Sequence, residues 1–288
     1  MISIIVSSYQ AHYYDQLVES IRETIGIDTY EIIQIWNPNL MGITQAYNKG
    51  AQKAQYENFL FLHEDVIFHT QNWGQKLMSH LEKPNVGVIG ISGSSYVPTA
   101  PSSWTVSEEY QQTNILESTK ENPVPRHTRT TTKTMNRVYG VDGVFLAIKK
   151  QNFIIYRFNE ELKGFHGYDL DLSLRVSKTL QNYTVNDILI EHFSMGNLDK
   201  TWFDTNIFIR EKLGSDFHQK KPDTEAKAFL NFLVRYFQYY PINKKTILFT
   251  LKFYPYKSLN IKGHCVILKK YFSYLRYSSD INNKNDFK

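Results

Sequence analysis

Asn58-Phe59-Leu60-Phe61-Leu62-His63-Glu64-Asp65 places four consecutive large apolar residues directly before three ionisable ones. An unbroken apolar run that is too short for a helix reads as a strand buried on both faces. Such strands sit in parallel sheets covered by helices, so this segment sets an α/β class. Its neighbours agree. Ile2 to Val6 is a short apolar, β-branched run, and Tyr30 to Trp36 and Val86 to Ile91 read as further strands. Between them Tyr14 to Ile25, Thr44 to Ala54 and Trp73 to Leu81 carry apolar residues at helical spacing. Strands alternating with helices of 10–15 residues imply βαβ units and a mostly parallel sheet.

Beyond residue 95 the alternation breaks. Residues 97–137 hold four prolines and many Ser and Thr, and read as one long functional loop. A strand is expected over Val138 to Lys149, interrupted at Asp142-Gly143. Tyr168 to Leu180 reads as a helix, Ile188 to Phe193 as a strand that delivers His192, and residues 200–213 and 224–240 as helices. The 288 residues are 42% hydrophobic and 21% charged, enough to bury a large core without staples. The lone cysteine, Cys265, excludes an intrachain disulfide and a Cys-rich zinc site. There is no uncharged apolar run of about 18 residues and no basic leader, so we expect a cytoplasmic protein without a membrane span.

Charge is unevenly spread. Ala226 to Ser279 contains ten Lys or Arg and no Asp or Glu; the last 63 residues carry +10 and the first 225 carry −5. We therefore divide the chain into a catalytic or binding domain, residues 1–222, and a helical, basic and aromatic extension, residues 223–288. Two readings of the extension stand. Its stripe Phe229, Phe232, Leu233, Tyr236, Phe237 and Tyr240 packs on the body or on a second copy. Alternatively, its basic and aromatic residues meet the anionic inner leaflet of a membrane. No nucleic-acid module is recognisable.

Ligands of open α/β sheets bind beyond the carboxyl ends of the strands. Ser7, Ser8 and Tyr9 follow the first strand, Asn37 the second, and His63, Glu64 and Asp65 the third. In an extended segment His63 and Asp65 point the same way and Glu64 the other. A carboxylate here suits a hard divalent cation, Mg²⁺ or Mn²⁺, whose remaining places go to phosphate oxygens and water. Taken singly, each of these residues is equally a strand-ending polar group, His192 a core histidine, and Asp169 and Asp171 caps of the helix that starts near Gly167.

In order along the chain, Ile2-Ser3-Ile4-Ile5-Val6-Ser7-Ser8-Tyr9, Met41 to Ala51, Leu62-His63-Glu64-Asp65-Val66, Val141 to Ala147, and Phe165-His166-Gly167-Tyr168-Asp169-Leu170-Asp171-Leu172 resemble family 2 glycosyltransferases of GT-A fold. The resemblance runs from about residue 2 to residue 200. It implies metal-assisted transfer of a sugar from a nucleotide-diphospho-sugar to a glycan or glycolipid, with inversion, in a setting such as surface polysaccharide assembly. It implies that Asp65, His63 and His192 hold the metal and that Asp169 is the general base. Ser7, Ser8, Tyr9, Asn37, Asn48, Glu64, Asp65, Asp142 and Gly143 would then line the donor site. Asp169 would lie in a first helical turn, where the dipole favours its ionised form. Asp171 would point elsewhere and pair with Arg175.

Three positions depart from the family pattern: His63 in place of the first Asp of the DXD motif, Trp36-Asn37 in place of a base-contacting acid, and Tyr168 in place of the Glu before the base. These departures keep open a sugar-nucleotide-binding or scaffold protein without catalysis. A nucleotidyltransferase is the enzymatic alternative, although Ser7-Ser8-Tyr9 is not the Gly-rich loop it would want.

Overall fold

The computed structural model describes residues 1–119, 122–193, 198–218 and 220–285. In chain order it forms β1 (Ile2–Ser8), α1 (Ala11–Thr24), β2 (Tyr30–Trp36), α2 (Ile43–Lys53), β3 (Asn58–Leu62), β4 (Val66–Phe68), α3 (Trp73–Leu81), β5 (Val86–Gly90) and β6 (Ser92–Ser94). Then come β7 (Gln111–Glu117), β8 (Arg126–Arg129), β9 (Met135–Val138), β10 (Gly140–Val141), β11 (Phe145–Lys149), α4 (Lys150–Tyr156), α5 (Tyr168–Val176), β12 (Gln181–Val185) and β13 (Ile190–His192). The chain closes with α6 (Lys200–Leu213), α7 (Pro222–Tyr239), α8 (Lys244–Leu251), α9 (Ile261–Arg276) and α10 (Ser278–Lys284).

A seven-stranded sheet in the order β2-β1-β3-β11-β5-β12-β9 forms the centre. Only β11 and β9 run against the others. Side-chain alternation explains why it is covered twice. Ile2, Ile4 and Val6 of β1 and Leu60 and Leu62 of β3 enter the core under α1 and α3. Ile5, Phe59 and Phe61 enter the opposite core, under α2, α4 and α5. Gly50 lets α2 approach β1: a methyl group there would meet Ile5 Cγ2 at 2.3 Å.

A second sheet, β10-β6-β7-β13-β4 with β8 alongside β7, crosses the carboxyl ends of the first. It corrects the expected long loop: residues 97–137 carry β7, β8 and the start of β9. Their polar sequence, Gln111-Gln112-Thr113-Asn114 for example, shows no apolar alternation. They become strands because β6 and β13 offer ladder partners. Val138 to Lys149 likewise is three strands, not one. The Asp142-Gly143 turn sends β10 to the second sheet and β11 to the first.

The aromatic stripe of α7 is buried. Phe229, Phe232, Leu233, Tyr236 and Phe237 share a core with Phe203 and Ile207 of α6 and with Tyr271 and Tyr274 of α9. Removing each such ring from water stabilises the packing by about 1.5–3 kcal/mol. The extension is thus a helical layer bound to the body through α6. No helix among the described residues is long and apolar enough to cross a membrane.

Candidate active site

Three side chains converge beyond β3. Asp65 Oδ1 lies 3.4 Å from His192 Nε2 and 4.0 Å from His63 Nδ1, and the two imidazole nitrogens are 3.5 Å apart. These ligand atoms all fall within 4.8 Å of one another, a spacing one cation can span. Backbone pairing builds the cluster. β13 lies antiparallel to β4, so His192 stands opposite Val66, and the Phe193 amide donates to the Asp65 carbonyl at 3.0 Å.

Two buried tyrosines stand behind His63. Tyr47 Oη, fully buried, donates to the Leu62 carbonyl at 3.2 Å. Tyr168 Oη lies 2.7 Å from His63 Nε2, a hydrogen bond between the hydroxyl and the ring. With Nε2 engaged there, Nδ1 is the ring nitrogen turned toward Asp65 and His192. Burial lowers the pKa of His63, with Asp65 opposing and His192 adding to the shift, which favours the neutral ring. For His192, burial is the largest influence and works against the charged form, but its bond to Asp65 together with the charges of Asp65, Asp142 and Glu117 outweighs this and raises the pKa. Burial holds the Tyr168 hydroxyl well above its ordinary range, so it stays protonated.

Beside this cluster lies the pair Asp142 and Asp169. Gly167, at φ +73°, starts α5 in a conformation that side chains resist, and this delivers Tyr168 and Asp169 to the site. Asp169 Oδ2 accepts the Gly143 amide at 3.0 Å, and Asp142 Oδ1 accepts that of Val144 at 2.8 Å. A methyl group on Gly143 would meet Tyr168 Oη at 2.2 Å, so the turn must be glycine for Tyr168 to reach His63. Burial first and the Asp142 charge second push the Asp169 carboxyl up to about 7, against three backbone amides. This reverses the expectation from the helix dipole: desolvation and a like charge outweigh the first turn of a nine-residue helix. Asp142 also acts on the charges of both histidines, tying the two clusters together.

The remaining expected residues divide. Asn37, buried, donates to Ser7 Oγ at 3.3 Å and closes the 37–41 turn through both Met41 backbone groups. Ser8 is buried under Gln34, which donates to its hydroxyl. Glu64 turns away from Asp65, as alternation requires, and accepts the amides of Tyr9 and Gln10 at 3.1–3.2 Å. It thereby fixes the loop after β1 instead of opening to the site; burial raises its pKa despite those amides. Asn48 is not brought to the site. Its amide is used up on Phe158 N and O and on Glu160. Tyr9 and Trp36 are 59% and 51% exposed at the carboxyl ends of β1 and β2, two open rings on neighbouring strands of the first sheet. Asp171 pairs with Arg175 at 2.7 Å, as expected, and lies outside the cluster. Tyr47 was not foreseen; a tyrosine on the apolar face of α2 gives no sign of a polar task.

Residues 3–224 match the model of the family described as glycosyltransferase like family. The chain belongs to it. No curated protein matches this glycosyltransferase-like chain. Among solved structures, S. aureus TarS residues 1–349 in complex with UDP superimposes with a TM-score of 0.56 at 12% identity, covering 99% of this chain and 88% of that one. GalNAc-T7 with UDP, GalNAc and Mn²⁺ gives 0.51 at 12% identity, covering 73% of this chain. The match takes in 47% of GalNAc-T7, about half its length. At such identities the likeness is one of fold, and that fold is GT-A.

Proposed function

We propose that this protein transfers a sugar from a nucleotide-diphospho-sugar to a hydroxyl of a glycan or glycolipid, with inversion. The observation that carries the reading is the juxtaposition of the His63–Asp65–His192 cluster with Asp169. Two imidazole nitrogens and one carboxylate oxygen, with His192 giving up its proton on ligation, fit Mn²⁺ better than Mg²⁺, which prefers oxygen ligands, or Ca²⁺. In the tautomer that places its proton on Nε2 toward Tyr168, His63 offers Nδ1 as the lone pair that metal ligation requires. When bound there, the cation supplies charge compensation for the departing diphosphate.

The protein's own groups do the rest. Tyr9 and Trp36 stack on the nucleobase. Tyr168 and Tyr47 hold His63 in the tautomer that faces the cation; Tyr168 is a positioning residue. Asp169 takes the proton of the acceptor hydroxyl as it attacks the anomeric carbon from the face opposite the leaving group. A base whose pKa lies near the working pH is the efficient choice, worth about 10²–10⁴-fold. One base and one displacement invert the anomeric centre.

A uridine diphosphate sugar is the first donor to test, because both solved structures described above hold UDP. The decisive assay measures donor turnover with UDP-, GDP- and dTDP-sugars for the wild type and for Asp169→Asn, and the anomeric configuration of the product. Turnover lost in the variant and an inverted product support the proposal. Equal turnover removes Asp169 from the reaction, and retention rejects the single displacement.

A further inference from the structure

The basic extension presents two faces, and only one is spoken for. On α9, Gly263, Ile267, Tyr271 and Tyr274 are buried against α7 and the aromatic core. A second apolar row remains outside: Ile261, Cys265, Leu268, Phe272 and Leu275 are all exposed, Phe272 by 69% and Ile261 by 83%. Their spacing of four, three, four and three residues keeps them on one side of a 3.6-residue helix. Along the flank of that row run Lys262, Lys269 and Arg276, seven residues apart and also exposed. No acidic residue occurs between Ala226 and Ser279 to neutralise them.

We infer that this outer face of α9 docks on an anionic lipid bilayer. The helix would lie in the plane of the interface, its apolar row among the acyl chains and its basic row at the headgroups. Charge decides the occupant. A second copy joined through the same face would set Lys262, Lys269 and Arg276 against their own equivalents, which costs affinity. A bilayer rich in anionic headgroups satisfies the basic row and the apolar row together. The inference rests on exposure and charge alone and goes beyond the sugar-transfer reading; either can fail without the other.

The test is co-sedimentation of the full chain with vesicles of phosphatidylcholine, alone or mixed with phosphatidylglycerol. Three proteins are compared: wild type, Lys262→Gln/Lys269→Gln/Arg276→Gln, and Leu268→Ser/Phe272→Ser. All substituted positions are exposed, and an unchanged melting temperature checks folding. The wild type is expected to bind the mixed vesicles, more weakly as salt rises. The triple variant should lose about a hundredfold in affinity, at about fivefold per charge, and the double variant should lose most binding. Binding to neither vesicle, equal binding to both, or an unaffected double variant overturns the inference. So does a dimer in light scattering that Leu268→Ser/Phe272→Ser converts to monomer, which would make the row a self-association surface.

Discussion

Replacing Asp169 by Asn should make the protein more stable and less active at once. The carboxyl ordinarily titrates at 3.8, and the fold holds it at about 7, burial first and Asp142 second. Its folded pKa is raised, so the folded state binds the proton more tightly than the unfolded chain. Below pH 4 both states are protonated and the group costs nothing. As pH rises from 4 to 7 the unfolded chain releases the proton and the fold does not, so stability falls; above 7 the cost is constant. The full shift corresponds to about 4 kcal/mol at pH 8. Solvent at the mouth of the site reduces this to about 1–3 kcal/mol. Asn cannot ionise, so Asp169→Asn should match the wild type at pH 4 and melt a few degrees higher at pH 8. Scanning calorimetry in chelator at the two pH values measures this, alongside a turnover loss of about 10²–10⁴-fold. A variant less stable than wild type at pH 8, or equally stabilised at pH 4 and 8, would refute the argument that the site holds a strained base.

Three other substitutions probe the supports of the site. Tyr168→Phe removes the hydrogen-bond partner of His63 Nε2 and should weaken Mn²⁺ binding about 10–100-fold by titration calorimetry with little change in melting; unchanged affinity would dissociate Tyr168 from His63. Gly143→Ala drives a methyl into Tyr168 Oη and should cost about 1–3 kcal/mol in denaturant unfolding; a neutral result would show the turn to be pliable. Asp171→Asn breaks the buried pair with Arg175 and should lower the melting temperature while leaving turnover per folded molecule intact, in contrast to Asp169→Asn two residues away.

Much of the first sheet was legible because its central strands are buried on both faces. Phe59–Leu62 has no polar residue and Ile2–Val6 only Ser3, and the ends of the first three strands place Ser7, Asn37 and His63. The polar strands were not legible, neither those of the second sheet nor β12 of the first. β12 reads Gln181-Asn182-Tyr183-Thr184-Val185, a polar segment, yet Asn182 is wholly buried. Its side chain accepts from Val88 N and donates to Tyr139 O and Ser173 O. A polar core residue whose bonds are all satisfied leaves no periodic trace in the sequence. The same holds for the site. Asp65 and His192 stand 127 residues apart and meet only through the β4–β13 ladder, which no local pattern announces. His63 and Tyr168 each look like a lapse from the family pattern when taken alone. In space they are hydrogen-bonded to each other, so one departure supports the other. The pKa of Asp169 was misjudged for a related reason: the dipole of its helix is local and visible, whereas the desolvation and the Asp142 charge that dominate it come from the fold.

The claim on which the account turns is met head-on by anomalous diffraction from crystals soaked with Mn²⁺ and UDP. A single manganese peak within bonding distance of His63 Nδ1, Asp65 Oδ1 and His192 Nε2, with a diphosphate oxygen beside it, is the predicted result. A peak elsewhere, or those three side chains closed on one another with UDP bound at a distance, would contradict it.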